Sequence, residues 1–124
     1  MVEDNDVNRK VIGSLLTRLG LALSVAQNGQ QALDVIAQGE RPDLILMDLN
    51  MPVMDGYTAT ERMRQWELKH QQSHLPIIAL TGDAYPEDRQ RCLKVGMNDF
   101  LTKPVMLDAL ISALTRWLSV RSHP

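Results

Sequence analysis

Asp43-Leu44-Ile45-Leu46-Met47-Asp48-Leu49-Asn50-Met51-Pro52-Val53-Met54-Asp55-Gly56 carries the clearest structural signal in the chain. Leu44 to Met47 form an unbroken apolar run of strand length, bounded by Pro42-Asp43 before it and Asp48 after it. A continuous run, rather than an alternating one, is expected of a strand covered on both faces, so this segment is read as a buried central strand. Beyond the loop containing Pro52, Asp55-Gly56 is suited to cap a helix that continues to about Lys69.

The same alternation extends in both directions. Upstream, Val7, Val11, Ile12, Leu15, Leu16 and Leu19 recur at helical spacing from Asp6 to Leu19, and Gly20 stops that helix. Leu21 to Ala26 is a short apolar strand candidate ending at the Asn28-Gly29 turn, and Gln30 to Ala37 returns to helical spacing. Downstream, His70 to His74 reads as a solvated connection, and Ile77 to Thr81 as a strand. Pro86 to Val95 reads as a helix ended by Gly96, Asp99 to Thr102 as the last strand, and Met106 to Leu118 as the closing helix. Alternating strands and helices predict a parallel sheet between two helical layers, with ligands bound outside the carboxyl ends of the strands.

Composition bounds what such a fold can do. The 124 residues suffice for one domain, and 44% hydrophobic with 23% charged is the balance of a soluble globular chain. Thirteen Lys and Arg against 15 Asp and Glu give a net charge of −2, with no basic run, so direct nucleic-acid binding is not expected. No apolar stretch reaches the roughly 18 residues of a membrane span, so no membrane contact by this domain is expected. With one cysteine, Cys92, and no basic-then-apolar start, a cytoplasmic setting is expected.

The strand ends gather the chemistry. Glu3 and Asp4 follow the first apolar residues, Asp48 ends the central run, Thr81 ends the next and Lys103 lies just past the last. Each taken singly is an ordinary polar residue where a strand meets water. Together they place three carboxylates, a hydroxyl and an ammonium on one sheet edge. Carboxylates about 4 Å apart repel by roughly 4 kcal/mol per pair at an effective dielectric near 20, which calls for protonation, separation or a cation. An all-oxygen donor set suits Mg²⁺, which keeps several waters and leaves room for a phosphate oxygen. A carboxylate beside such a cation, a lysine and a hydroxyl is arranged to attack phosphorus, with Asp48 as nucleophile.

These residues resemble the receiver domain of two-component response regulators. The resemblance runs through Val2-Glu3-Asp4-Asn5, the segment from Asp43 to Gly56, Ile77-Ile78-Ala79-Leu80-Thr81-Gly82 and Phe100-Leu101-Thr102-Lys103-Pro104. It implies a flavodoxin-like (CheY-like) α/β fold, a five-stranded parallel sheet of order 2-1-3-4-5 with helices on both faces. It further implies that Asp48 accepts phosphate, that Glu3, Asp4, Asp48 and the Asn50 backbone carbonyl hold Mg²⁺, and that Thr81 is the switching hydroxyl. By the same resemblance Lys103 pairs with the phosphate through an often cis Lys103-Pro104 peptide, and Phe100 is the aromatic that rotates. Asn50 and Asp83 flank the site and are expected to tune hydrolysis. The phrases V-E-D-N-D-V-N-R and M-P-V-M-D-G-Y-T-A-T are most similar to receivers of hybrid sensor histidine kinases. The implied partners are a histidine kinase and a histidine phosphotransfer domain, within a parent that is a membrane-anchored sensor.

Family members carry several apolar residues before the acidic pair, whereas Met1 and Val2 alone precede it here. A truncated first strand is therefore expected, with weakened stability, a disordered Glu3-Asp4 segment, or a strand borrowed from another chain. Plainer roles are expected elsewhere. Phe100, Trp66 and Trp117 suit packing, Cys92 packing or a surface position, and Met47, Met51, Met54, Met63, Met97 and Met106 gap filling. His70, His74 and His123 are expected to be exposed bystanders.

Two other functions fit parts of the pattern. A Mg²⁺-dependent aspartyl-phosphate phosphatase of the haloacid dehalogenase type carries an acid two residues after its nucleophile, where this chain has Asn50, and needs a cap domain. A receiver-like binding module that works unphosphorylated is the other. The expected role is a signalling module, with only self-directed phosphotransfer and autodephosphorylation, rather than an enzyme.

Overall fold

The computed structural model describes residues 1–3, 6–21, 25–39, 42–49, 54–82 and 86–122, with side chains through 118. Its elements run α1 (Asp6–Arg18), α2 (Gly29–Ala37), β1 (Ile45–Asp48), α3 (Gly56–Lys69), β2 (Ile77–Thr81), α4 (Pro86–Val95), β3 (Asp99–Thr102) and α5 (Leu107–Ser122). The three strands form a parallel sheet of order β1-β2-β3, with Ile45 opposite Ile77 and Ile78 opposite Asp99.

Two single-residue bridges extend the order beyond β1. Val2 pairs in parallel with Met47 on one side and with Ala26 on the other. The ladder is closed by Val2 N–H to the Leu46 carbonyl at 2.8 Å, Asp48 N–H to the Val2 carbonyl at 2.9 Å, and Glu3 N–H to the Ala26 carbonyl at 3.0 Å. The resulting order, Ala26 then Val2 then β1-β2-β3, is 2-1-3-4-5. Among the described residues, pairing at the first position is limited to the Val2 bridges, so the first strand is short, as expected. Glu3 is fully buried and bonded within its own chain. Asp4 lies outside the described residues, as do residues 22–24 of the expected second strand.

Strand periodicity divides the core into two. Ile45, Met47, Ile77 and Ala79 face a cluster built with Ala32 and Ile36 of α2, Met63 of α3 and Cys92 of α4. Leu46, Ile78, Leu80 and Leu101 face the opposite cluster, with Ile12 and Leu16 of α1 and Leu110 and Leu114 of α5. The sheet is thus covered on both faces, which accounts for its continuous apolar runs.

The helix limits follow local chemistry. The Asn28 side chain accepts from Gln31 N–H and Asp55 from Thr58 N–H, each satisfying a first-turn donor that the helix leaves open. Gly20 and Gly96 take φ of 77° and 106°, the left-handed turn that ends α1 and α4. α5 continues to Ser122, past the last apolar residue of its stripe, because Ser119 to Ser122 contain no helix breaker.

α3 carries a buried polar knot. Arg64 donates to the Gly96 carbonyl from Nε and Nη2 at 2.9 and 2.7 Å, and to Asn98 Oδ1 at 2.9 Å. Its Nη1 bonds Glu67 Oε1 at 2.9 Å, and Glu67 Oε2 accepts from Leu75 N–H at 2.8 Å. α3, the entry to β2 and the turn after α4 are tied together there. At the amino-terminal end of the strands, an apolar cavity of about 530 Å³ is lined by Val2, Ala26, Ile36, Ile45, Leu46 and Leu114. The polar strand ends occupy the other edge.

Candidate functional site

Asp48 closes β1 and is buried because Val2 and β2 flank its strand on both sides. Glu3 follows Val2 on the adjacent position, so its side chain leaves the sheet at the same edge. Arg9, one turn into α1, fixes that turn of chain by donating to the Glu3 carbonyl at 2.9 Å and pairing with Asp6. Lys103 is set by β3: its N–H donates to the Thr81 carbonyl at 2.7 Å, and the Lys103-Pro104 peptide is cis. The three side chains meet. Lys103 Nζ lies 3.0 Å from Asp48 Oδ1 and 3.1 Å from Glu3 Oε1.

Two buried carboxylates against one ammonium leave an excess of negative charge. Burial, and then the hydrogen-bonded Glu3 carboxylate, push Asp48 up to about 7 against the pull of Lys103. Burial acts on Glu3 in the same sense, but hydrogen bonds from Asp48 and Lys103 outweigh it and hold Glu3 below the usual carboxylate range. Burial would depress the Lys103 ammonium, yet the two carboxylates keep it above its ordinary value. Of the two carboxyls, Asp48 is therefore the one that takes up a proton first as pH falls.

A divalent cation fits this set. The donors are carboxylate oxygens, the hard ligands that magnesium prefers, and two carboxylates on one ammonium leave charge that a cation would neutralise. Among the described residues no group of three or more His, Cys, Asp or Glu side chains forms a metal cage. The expected further ligands, Asp4 and the Asn50 carbonyl, lie outside the described residues, and so does Asp83.

Thr81 ends β2, buried, opposite Thr102 of β3. Phe100 is half-buried on β3, and its ring packs against the cluster under α3 and α4. Sequence reasoning missed the tightest constraint on Asp48. A Cβ on Gly56 would stand 2.4 Å from the Asp48 carbonyl oxygen, so only glycine lets the first turn of α3 reach the strand end. The Asp55-Gly56 pair signalled the cap but not this approach. Cys92 is buried, His70 and His74 are exposed, and His123 lies outside the described residues. Of the methionines, Met47, Met54, Met63 and Met97 fill the core, Met51 lies outside the described residues, and Met106 is 65% exposed rather than a gap filler.

Comparison with known proteins agrees with this geometry. The model of the response regulator receiver domain matches residues 1–115. Hybrid signal transduction histidine kinase M of Dictyostelium discoideum is 44% identical over 94% of this chain and 5% of its own length. The sensor histidine kinase RcsC of Escherichia coli is 41% identical over 93% of this chain and 12% of its own. The chain thus spans a small part of these relatives. Among solved structures, the receiver domain of a Pseudomonas aeruginosa sensor histidine kinase has a magnesium ion coordinated in its active-site cleft. It superposes with a TM-score of 0.83 at 44% identity, over 95% of this chain and 93% of that one. The receiver domain of Saccharomyces cerevisiae Ssk1, crystallised with the histidine phosphotransfer protein Ypd1, gives 0.92 at 35% identity, over 98% and 88%. With a parallel sheet in the 2-1-3-4-5 order and an acid-lysine cluster at its carboxyl edge, the chain belongs to the response regulator receiver domain family, the phosphoacceptor modules of two-component signalling.

Proposed function

We propose that residues 1–124 act as a single receiver domain that takes phosphate from a phosphohistidine onto Asp48. The observation that carries this reading is the position of Lys103 Nζ, 3.0 Å from Asp48 and 3.1 Å from Glu3 at the carboxyl edge of the sheet. An Asp48 oxygen attacks phosphorus, the bond from phosphorus to the donor imidazole breaks, and the imidazole leaves with the electron pair. Lys103 offsets the charge that grows on the phosphoryl oxygens, and the Thr81 hydroxyl bonds one of them once transfer is complete.

Glu3 and Asp48, with Asp4 and the Asn50 carbonyl, would hold Mg²⁺, whose charge at the phosphoryl oxygens adds to that of Lys103. Transfer needs Asp48 as the carboxylate, the form that a bound Mg²⁺ would favour. Asn50 and Asp83 tune the later hydrolysis. Phosphorylation rearranges the loop after Thr81, Phe100 and the face formed by α4, β3 and α5, through contacts made only in the phosphorylated state.

The donor is a histidine kinase or a histidine phosphotransfer domain, and the setting is cytoplasmic, within a sensor kinase of the kind the relatives represent. Incubation with acetyl phosphate and Mg²⁺, followed by intact mass, tests the reading. A phosphate adduct on the wild type and none on Asp48→Asn supports it, and no adduct on either contradicts it. Sustained turnover of small phosphate esters would favour a phosphatase instead.

A further inference from the structure

The ring of Phe100 packs against the cluster under α3 and α4 and also meets a charge. Arg89 of α4 places its guanidinium carbon 4.4 Å from the Phe100 ring centroid. On the opposite flank of α4, Arg91 lies 4.0 Å from the ring centroid of Tyr57 in α3. Between them Cys92 is the one buried residue of α4, with Val95 half-buried beside it. Among the described residues, α4 thus packs through a thin apolar seam that includes Cys92 beside Tyr57, flanked by guanidinium-ring contacts to Phe100 and Tyr57.

We propose that Arg89 is the positioning residue for Phe100, favouring the ring arrangement seen here and so setting how readily phosphorylation at Asp48 shifts the face formed by α4 and β3. This rests on the receiver function proposed above. A guanidinium over the ring face is attracted by the negative quadrupole of the ring, and any rotation of Phe100 away from α4 gives up that attraction. At an exposed residue such as Arg89 this amounts to about a two- to fivefold bias in population. Arg91 acts on Tyr57 and leaves Phe100 untouched, so it separates a specific effect on the ring from a general loosening of α4.

Phe100 is the sole phenylalanine of the chain, so fluorophenylalanine labelling yields a single ¹⁹F reporter. The labelled protein is titrated, in Mg²⁺, with beryllofluoride, which mimics an acyl phosphate on an aspartate. Arg89→Met is expected to lower the half-saturating concentration by about two- to fivefold, by the linkage between ring position and phosphoryl analogue. Arg89→Lys, which keeps the cation, should fall between Arg89→Met and wild type, and Arg91→Met should titrate as wild type does. The proposal is overturned if Arg89→Met titrates like wild type, or if Arg91→Met shifts as far as Arg89→Met. A Phe100 signal indifferent to beryllofluoride, in a protein whose Asp48 takes phosphate by mass, overturns this proposal alone. A protein that takes no phosphate overturns the receiver reading and this proposal together.

Discussion

Lys103 and Asp48 face each other across the carboxyl edge of the sheet, with Nζ 3.0 Å from Oδ1, although β2 separates their strands. The ammonium thus reaches over a neighbouring strand to the residue expected to react, and it touches Glu3 in the same reach.

Removing that ammonium leaves two buried carboxylates with less compensation. Lys103→Met should lower the urea midpoint by an amount equivalent to about 1–3 kcal/mol, and should slow acetyl phosphate labelling of Asp48 severely. An unchanged midpoint and labelling rate would show that the lysine is a surface residue without consequence for either carboxylate.

Asp48 supplies a pH signature. Its carboxyl is pushed up to about 7 in the folded protein, above its ordinary value of 3.8, so the fold binds a proton that the unfolded chain has released. The associated stability is full below the unfolded value and is lost as pH rises through about 7. In Mg²⁺-free buffer Asp48→Asn, which carries no charge, should therefore be more stable than wild type at pH 8 by about 1–3 kcal/mol. The difference should shrink between about pH 7 and pH 4. A gap that stays constant from pH 5 to pH 8 would contradict the upward shift of Asp48.

Gly56 should tolerate no side chain. Because its Cβ would stand 2.4 Å from the Asp48 carbonyl and 3.0 Å from the Met47 side chain, Gly56→Ala must displace either α3 or the strand end. A loss of about 1–3 kcal/mol is expected, with slower Asp48 labelling because the strand end carries the nucleophile. Thermal unfolding and labelling rates on the same sample check both parts, and wild-type values in both would remove the constraint.

The Arg64 knot is structural, and its variants should separate stability from phosphorylation. Arg64→Met removes the donors to the Gly96 carbonyl and Glu67 Oε1, leaves Asn98 Oδ1 with Ile77 N–H alone, and should cost about 2–4 kcal/mol. Labelling of Asp48 at a temperature where the variant is folded should stay within about twofold of wild type. A stability equal to wild type would mean that solvent replaces the network freely.

Much of this architecture was legible because its signals are local. The apolar run at residues 44–47, the Asn28-Gly29 turn, the capping Asp55, and the glycines Gly20 and Gly96 act within a few residues of themselves. The end of α5 was misplaced because an apolar stripe marks where a helix is buried, not where its hydrogen bonds stop. Arg64 and Glu67 carry no local signal of their burial, since their partners Gly96, Asn98 and Leu75 come from other elements. The Arg89-Phe100 contact was illegible for the same reason. Glu3, Asp48 and Lys103 could be grouped beforehand because a parallel sheet brings all its strand ends to one edge, but their bonding distances depend on the register of Val2 and β3.

The most direct test is transfer from a histidine. A histidine phosphotransfer protein carrying radiolabelled phosphate is mixed with this chain in Mg²⁺, and the label is followed with and without hydroxylamine, which cleaves acyl phosphates. Label should pass to the wild type, be released by hydroxylamine, and be absent from Asp48→Asn. Label that stays on the donor, or that reaches Asp48→Asn as readily as the wild type, would show that Asp48 is not the acceptor.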